Sequence, residues 1–126
     1  MKHLTKLLVL FVALLLPMTL SAQSGSETYE EAKKINAEAD KELNAAYDQL
    51  IKSIRADNDK DRAELLVARL RESQRAWLKY RDAQVAFVGI NANIGSASSR
   101  ALGMASYSAE LTKERIKDLT TVPNPF

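Results

Sequence analysis

The chain has 126 residues, 27% of them charged, a formal net charge of +2, no cysteine and a single histidine. That histidine, His3, falls in an N-terminal segment that reads as a targeting signal. Ser-His-Asp or Cys-His catalysis and His- or Cys-ligated zinc are therefore excluded within one mature chain. The remainder is long enough for one small domain, and with no disulfide its stability has to come from packing.

Lys2, His3 and Lys6 form a basic start, Leu7 to Leu16 is an unbroken apolar run, and Pro17 ends it. Leu20-Ser21-Ala22 then offers small residues for cleavage, so residues 1–22 read as a signal peptide with Gln23 as the mature N-terminus. The run is too short to span a bilayer. No cysteine follows it that could carry a lipid, so a periplasmic or secreted protein with no membrane anchor is expected. Lys2 and Lys6 are the only charges lost, which leaves 16 of the 18 basic residues against 16 acidic ones. A mature charge near zero and no basic stripe argue against nucleic acid as a partner.

Residues 23–26 read as a flexible lead. Ile35, Ala39, Leu43, Tyr47, Leu50 and Ile54 then recur at spacings of three and four, which predicts a helix over about 27–55. The turn Ala56-Asp57-Asn58-Asp59-Lys60 follows, with Asp59 or Asp61 able to cap the next helix. A second helix is predicted over about 59–88, with a seam through Leu66, Leu70, Ser73, Trp77, Tyr80, Gln84 and Phe87. The short turn makes these two helices an antiparallel hairpin. Residues 89–100, with two glycines, two asparagines and three serines, read as a loop. A third helix is predicted over about 101–119, with Ala105, Ser108, Thr112, Ile116 and Leu119 on one face. The tail 120–126 contains two prolines and reads as irregular. The expected fold is all-α: one small domain of three helices, a long hairpin and a third helix packed on it.

Candidate chemistry is sparse. Asp57, Asp59 and Asp61 alternate as in a calcium loop, but Arg62 stands where glycine is needed and Ala68 where the last ligand belongs. Glu30/Glu31 and Glu38/Glu42 lie on solvated helix faces, so paired-carboxylate hydrolysis has no footing. No cofactor and no metal site are expected. The densest cluster is Gln74-Arg-Ala-Trp77-Leu-Lys-Tyr80-Arg81-Asp82, in which Trp77, Tyr80 and Arg81 share one side of a helix. It reads either as core with an ion pair, or as an exposed recognition surface. In the first reading Arg81 lies over the Trp77 ring, and Arg81 and Asp82 take separate partners near Glu114 and Arg115. The 89–100 segment reads as a plain crossover or as an element that enters a partner's cleft, with Gly95, Ser96 and the cation Arg100 as its contacts.

These motifs resemble a known family. Ala39-Asp40-Lys-Glu-Leu43-Asn44-Ala-Ala-Tyr47, then the Gln74 to Ala83 segment, then Gly95-Ser96, then Leu111-Thr112-Lys-Glu114-Arg115 are similar to the LprI-type family of small exported helical proteins, named for a mycobacterial lipoprotein reported to inhibit lysozyme. The resemblance spans about residues 28–119. It implies a non-enzymatic protein whose partner is lysozyme or a similar peptidoglycan hydrolase, blocked sterically. Leu43, Asn44, Tyr47, Gln74, Trp77, Tyr80, Arg81, Asp82, Thr112, Glu114 and Arg115 are the motif positions it carries over. Family members usually have a cysteine after the Y-R-D segment and another before the T-x-E-R segment. Val85 and Tyr107 hold those places here. The alternative is an envelope interaction module, which would show exposed apolar residues along the second helix and could dimerise.

Overall fold

The computed structural model describes residues 18–91 and 95–121, with side chains from Gly25 onward. Three helices account for nearly all of them: α1 (Met18–Asp57), α2 (Lys60–Asn91) and α3 (Ala97–Thr120). The apolar core of the expected signal, Leu7 to Leu16, lies outside the described residues. None of the described helices is long and apolar enough to cross a membrane.

Each helix end is set by a few side chains. The Asn58 amide donates to the Ile54 carbonyl at 2.8 Å and closes α1, while the Asp59 carboxylate accepts from the Arg62 backbone N–H at 3.0 Å and opens α2. Two adjacent residues thus satisfy backbone groups that both helix termini would otherwise leave unpaired. Ser96 caps α3 by accepting from the Ser99 N–H at 3.1 Å. At the far end the Thr120 and Thr121 hydroxyls donate to the Ile116 and Lys117 carbonyls.

The helices are longer than predicted. Residues 23–26 belong to α1, Gly89 to Asn91 continue α2, and Ala97 to Arg100 form the first turn of α3. The stretch predicted as a loop over 89–100 is therefore helical at both of its ends, over 89–91 and 97–100. Glycine and serine were read as loop formers, but here each has a helical task. A Cβ on Gly89 would stand 2.5 Å from the Met104 sulfur, so the missing side chain leaves room for the Met104 thioether against α2. Ser96 uses its hydroxyl to start the helix that contains Ser98 and Ser99.

The contacts give an up-down-up order. Gly25 lies beside Ser98, Gln84 bonds Tyr107, and Arg55 bonds Glu64. Hence α1 and α3 run parallel, with α2 antiparallel to both. The most extensive interface joins α1 to α3, and the least extensive joins α1 to α2. The hairpin is a hairpin by connectivity, but its two arms rest mainly on the third helix. Ala32 and Leu43 of α1, Ala63 and Val67 of α2, and Ala105, Ala109 and Leu119 of α3 are the buried apolar residues. The core line of α2 runs through Ala63, Val67, Gln74 and Gly89, rotated away from the predicted seam. Tyr80 and Phe87 of that seam are 54% and 63% exposed, and Trp77 is only partly buried.

Candidate functional site

Arg81 sits where the three helices meet. Its Nη1 donates to Asp40 Oδ1 on α1 at 2.7 Å and to Thr112 Oγ1 on α3 at 3.3 Å, and its Nε donates to Asp82 Oδ1 at 3.2 Å. The side chain is 12% exposed, against 52% for Asp40 and 71% for Asp82. Burial alone lowers the guanidinium pKa, but hydrogen bonds and charge from Asp40, then Asp82, outweigh it and the value is raised. A raised folded-state pKa leaves this contribution fully present below the unfolded value, so it does not fade as pH rises through the neutral range. Thr112, 1% exposed, completes the junction by donating from Oγ1 to the Ser108 carbonyl at 2.8 Å.

Trp77 lies under two cations. The Arg81 guanidinium carbon is 5.3 Å from the ring centroid and that of Arg115 is 6.0 Å away. Arg115 also donates to Gln74 Oε1 at 3.1 Å and to Ser73 Oγ at 2.9 Å, which fastens α3 to α2. The stacking of Arg81 on Trp77 agrees with the spacing of the two residues along the helix. The partners expected for Arg81 and Asp82 do not. Arg81 turns to Asp40 and Thr112 rather than to Glu114 and Arg115, and Asp82 pairs with Arg81 itself although the two are neighbours. The reason is the rotation of α2, which points Arg81 into the junction and leaves Asp82 on the rim, where the long guanidinium can fold back to it.

Beside this junction the sparse α1–α2 contact leaves an open cleft of about 440 Å³. Leu43, Asn44 and Tyr47 of α1 face Gln74, Leu78 and Arg81 of α2 across it, together with Arg71 and Arg75. A second groove of about 600 Å³ opens on the other side of the Asp40–Arg81 pair, toward Tyr29, Val85 and Met104. The ion pair is a partition between the two. Of the motif positions, Leu43, Asn44, Tyr47, Gln74 and Arg81 come together at the first cleft, and Trp77, Thr112 and Arg115 form the junction behind it. Tyr80 and Glu114 face solvent and join neither. Gly95, Ser96 and Arg100 are exposed at the end of the bundle where α2 gives way to α3. The residues read as cysteine replacements lie on the α2–α3 side, where Tyr107 accepts a hydrogen bond from Gln84, the neighbour of Val85, at 3.3 Å.

Sequence reasoning passed over Asp40, Ser73, Arg71 and Arg75 as site residues. The signal for the last two was present: Arg71 and Arg75 stand one turn apart on the flank of Gln74 and Leu78. Asp40 needed the register of the hairpin. The acidic turn is accounted for by helix ends: Asp59 caps α2 and Asp57 accepts from Ser53 at 3.2 Å. Among the described residues no group of three or more His, Cys, Asp or Glu side chains is arranged to hold a metal.

No curated protein and no solved structure matches the chain. The family model described as lysozyme inhibitor LprI matches residues 20–119, a stretch that holds the junction, the cleft and nearly all of the three helices, and the chain belongs to that family.

Proposed function

We propose that this protein is an exported, non-enzymatic inhibitor of lysozyme or a related peptidoglycan hydrolase, acting by steric occlusion of its cleft. The family match over residues 20–119 carries this reading. Export is supported by the basic, apolar and small-residue succession of residues 1–22. The contact end we favour holds Gly95, Ser96 and Arg100. With small side chains and one cation, it suits insertion between the walls of a glycan cleft, where Arg100 meets catalytic carboxylates. Phe87 and Ile90, 63% and 88% exposed on the last turns of α2, lie at the same end and supply apolar anchors.

The test is an activity titration of c-type, g-type and i-type lysozymes with the chain from Gln23. Activity of at least one should fall in proportion to added protein and stop at a fixed ratio. Arg100→Glu and Phe87→Asp should each abolish the effect with far-UV circular dichroism unchanged. Full lysozyme activity at large excess of inhibitor would overturn the reading.

A second reading, an envelope interaction module, is favoured by one observation. Ala76, Tyr80, Ala83, Phe87 and Ile90 recur along one face of α2 and all are exposed. A stripe of this kind invites a partner helix or a second copy of the chain. Light scattering of the mature protein separates the two: a stable dimer without lysozyme inhibition supports the module.

A further inference from the structure

The α1–α2 cleft holds more hydrogen-bond donors than the protein itself satisfies. Gln74, 9% exposed, lines its floor. Its Oε1 accepts from Arg115, which fixes the orientation of the amide and turns Nε2 the other way. Nε2 has no partner, and among the described residues no side-chain nitrogen or oxygen is both sealed from solvent and unbonded. This amide nitrogen therefore opens into the cleft. Arg71 and Arg75 stand on the α2 wall, exposed, and neither has an ion pair or hydrogen bond among the described residues. Like charges one turn apart repel on a helix. Asp40, the one carboxylate lining the cleft, is already taken by Arg81. The cleft is short of an anion.

Apart from the Asn44 amide, the remainder of the lining is largely apolar. Leu43 and Leu78 are apolar and Tyr47 brings an aromatic ring. A volume of about 440 Å³ lies in the range of small-ligand sites. We propose that this cleft binds a short peptide through a carboxylate, held by Arg71 and Arg75 and capped by the Gln74 amide. An adjacent apolar side chain of the peptide rests on Leu78 and the Tyr47 ring, with Leu43 buried beneath them. A guanidinium presents paired N–H groups that match the two oxygens of a carboxylate. Inorganic phosphate would satisfy the donors but leave the apolar wall wet, so the organic half of the site selects a peptide. This site lies apart from the Gly95–Arg100 end and does not depend on inhibition of a hydrolase.

The chain from Gln23 keeps every described side-chain contact and is the material for the test. Isotope-labelled protein is titrated with N-acetyl-leucyl-glutamate and followed by amide NMR. The Gln74 side-chain signals should shift to saturation, and the neutral N-acetyl-leucyl-glutamine amide should leave them in place. Arg71→Ala with Arg75→Ala should weaken binding by about tenfold or more. Gln74→Glu keeps an acceptor for Arg115 but removes the donor, and should weaken binding as much with the melting temperature held. Equal shifts with the neutral compound, or no shift of the Gln74 amide with either, would overturn the site. Equal affinity for inorganic phosphate alone would overturn its assignment to a peptide.

Discussion

Arg81 and Trp77 show how position on a helix separates residues that look alike in a sequence. The core reading put Trp77 and Tyr80 inside together, yet Trp77 lies against two guanidinium groups while Tyr80 is 54% exposed. Trp77→Ala should cost about 3 kcal/mol, the low end for a large aromatic because the site is only partly buried. Tyr80→Ala should stay within about 0.5 kcal/mol of wild type. Urea denaturation of the two variants measures both, and equal midpoints would contradict the placement. Asp40→Ala removes the shortest contact of a nearly buried cation that retains Asp82 and Thr112, and should cost about 1–2 kcal/mol. Asp82→Ala, at a 71% exposed position, should cost about half a kcal/mol or less. If the two aspartate variants melt together, Arg81 is not anchored through α1. The Arg81–Trp77 contact was legible because it is local to one helix. Arg81–Asp40 was not, since it depends on how far α2 is turned about its own axis.

At the scale of the helix, existence and order were legible, and rotation was not. Leu65, Leu66 and Val67 are consecutive, as are Trp77 and Leu78, so hydropathy alone supplies α2 with several competing apolar faces. The residues it buries are small or polar: Ala63, Gln74 and Gly89, with Val67 the exception. A hydrophobic pattern reads those positions as surface. Helices α1 and α3 were phased correctly: Leu43, and Ala105, Thr112 and Leu119, lie on the faces their spacing predicts and are buried. The cap of α2 was legible from chemistry as one of two aspartates, since Asp59 and Asp61 follow a break and precede a helical run, whereas the Ser96 cap of α3 was not. Asp59→Ala should lower stability by about 1 kcal/mol. The loss should be visible as faster hydrogen exchange at the first backbone amides of α2, and unchanged exchange there would show that the cap is idle.

Across the whole molecule the three helices are unequal partners. The first and last share the largest interface, while the middle one is fastened by discrete side-chain links: Arg81 to Asp40, Arg115 to Gln74, and Gln84 to Tyr107. The fold class was legible, but this asymmetry was not, because a short turn says which helices are joined and nothing about which pack. The open cleft between α1 and α2 follows from it. A fragment ending at Asn91 keeps both arms of the hairpin and loses the helix they rest on. Circular dichroism of residues 23–91 should show little cooperative melting, and a sharp transition near that of the longer chain would refute the asymmetry.

The pairing of α1 with α3 also sets the order of events during synthesis. Contacts that join the two ends of a chain form late, since the intervening loop has to close before they are rewarded. Here the dominant interface is incomplete until α3 has left the ribosome. Up to that moment the hairpin lacks the helix on which both of its arms mainly rest, and so has less to resist being threaded through a narrow pore. A topology that postpones folding to its last helix keeps the polypeptide pliable for the whole time that a secretion channel would need it so.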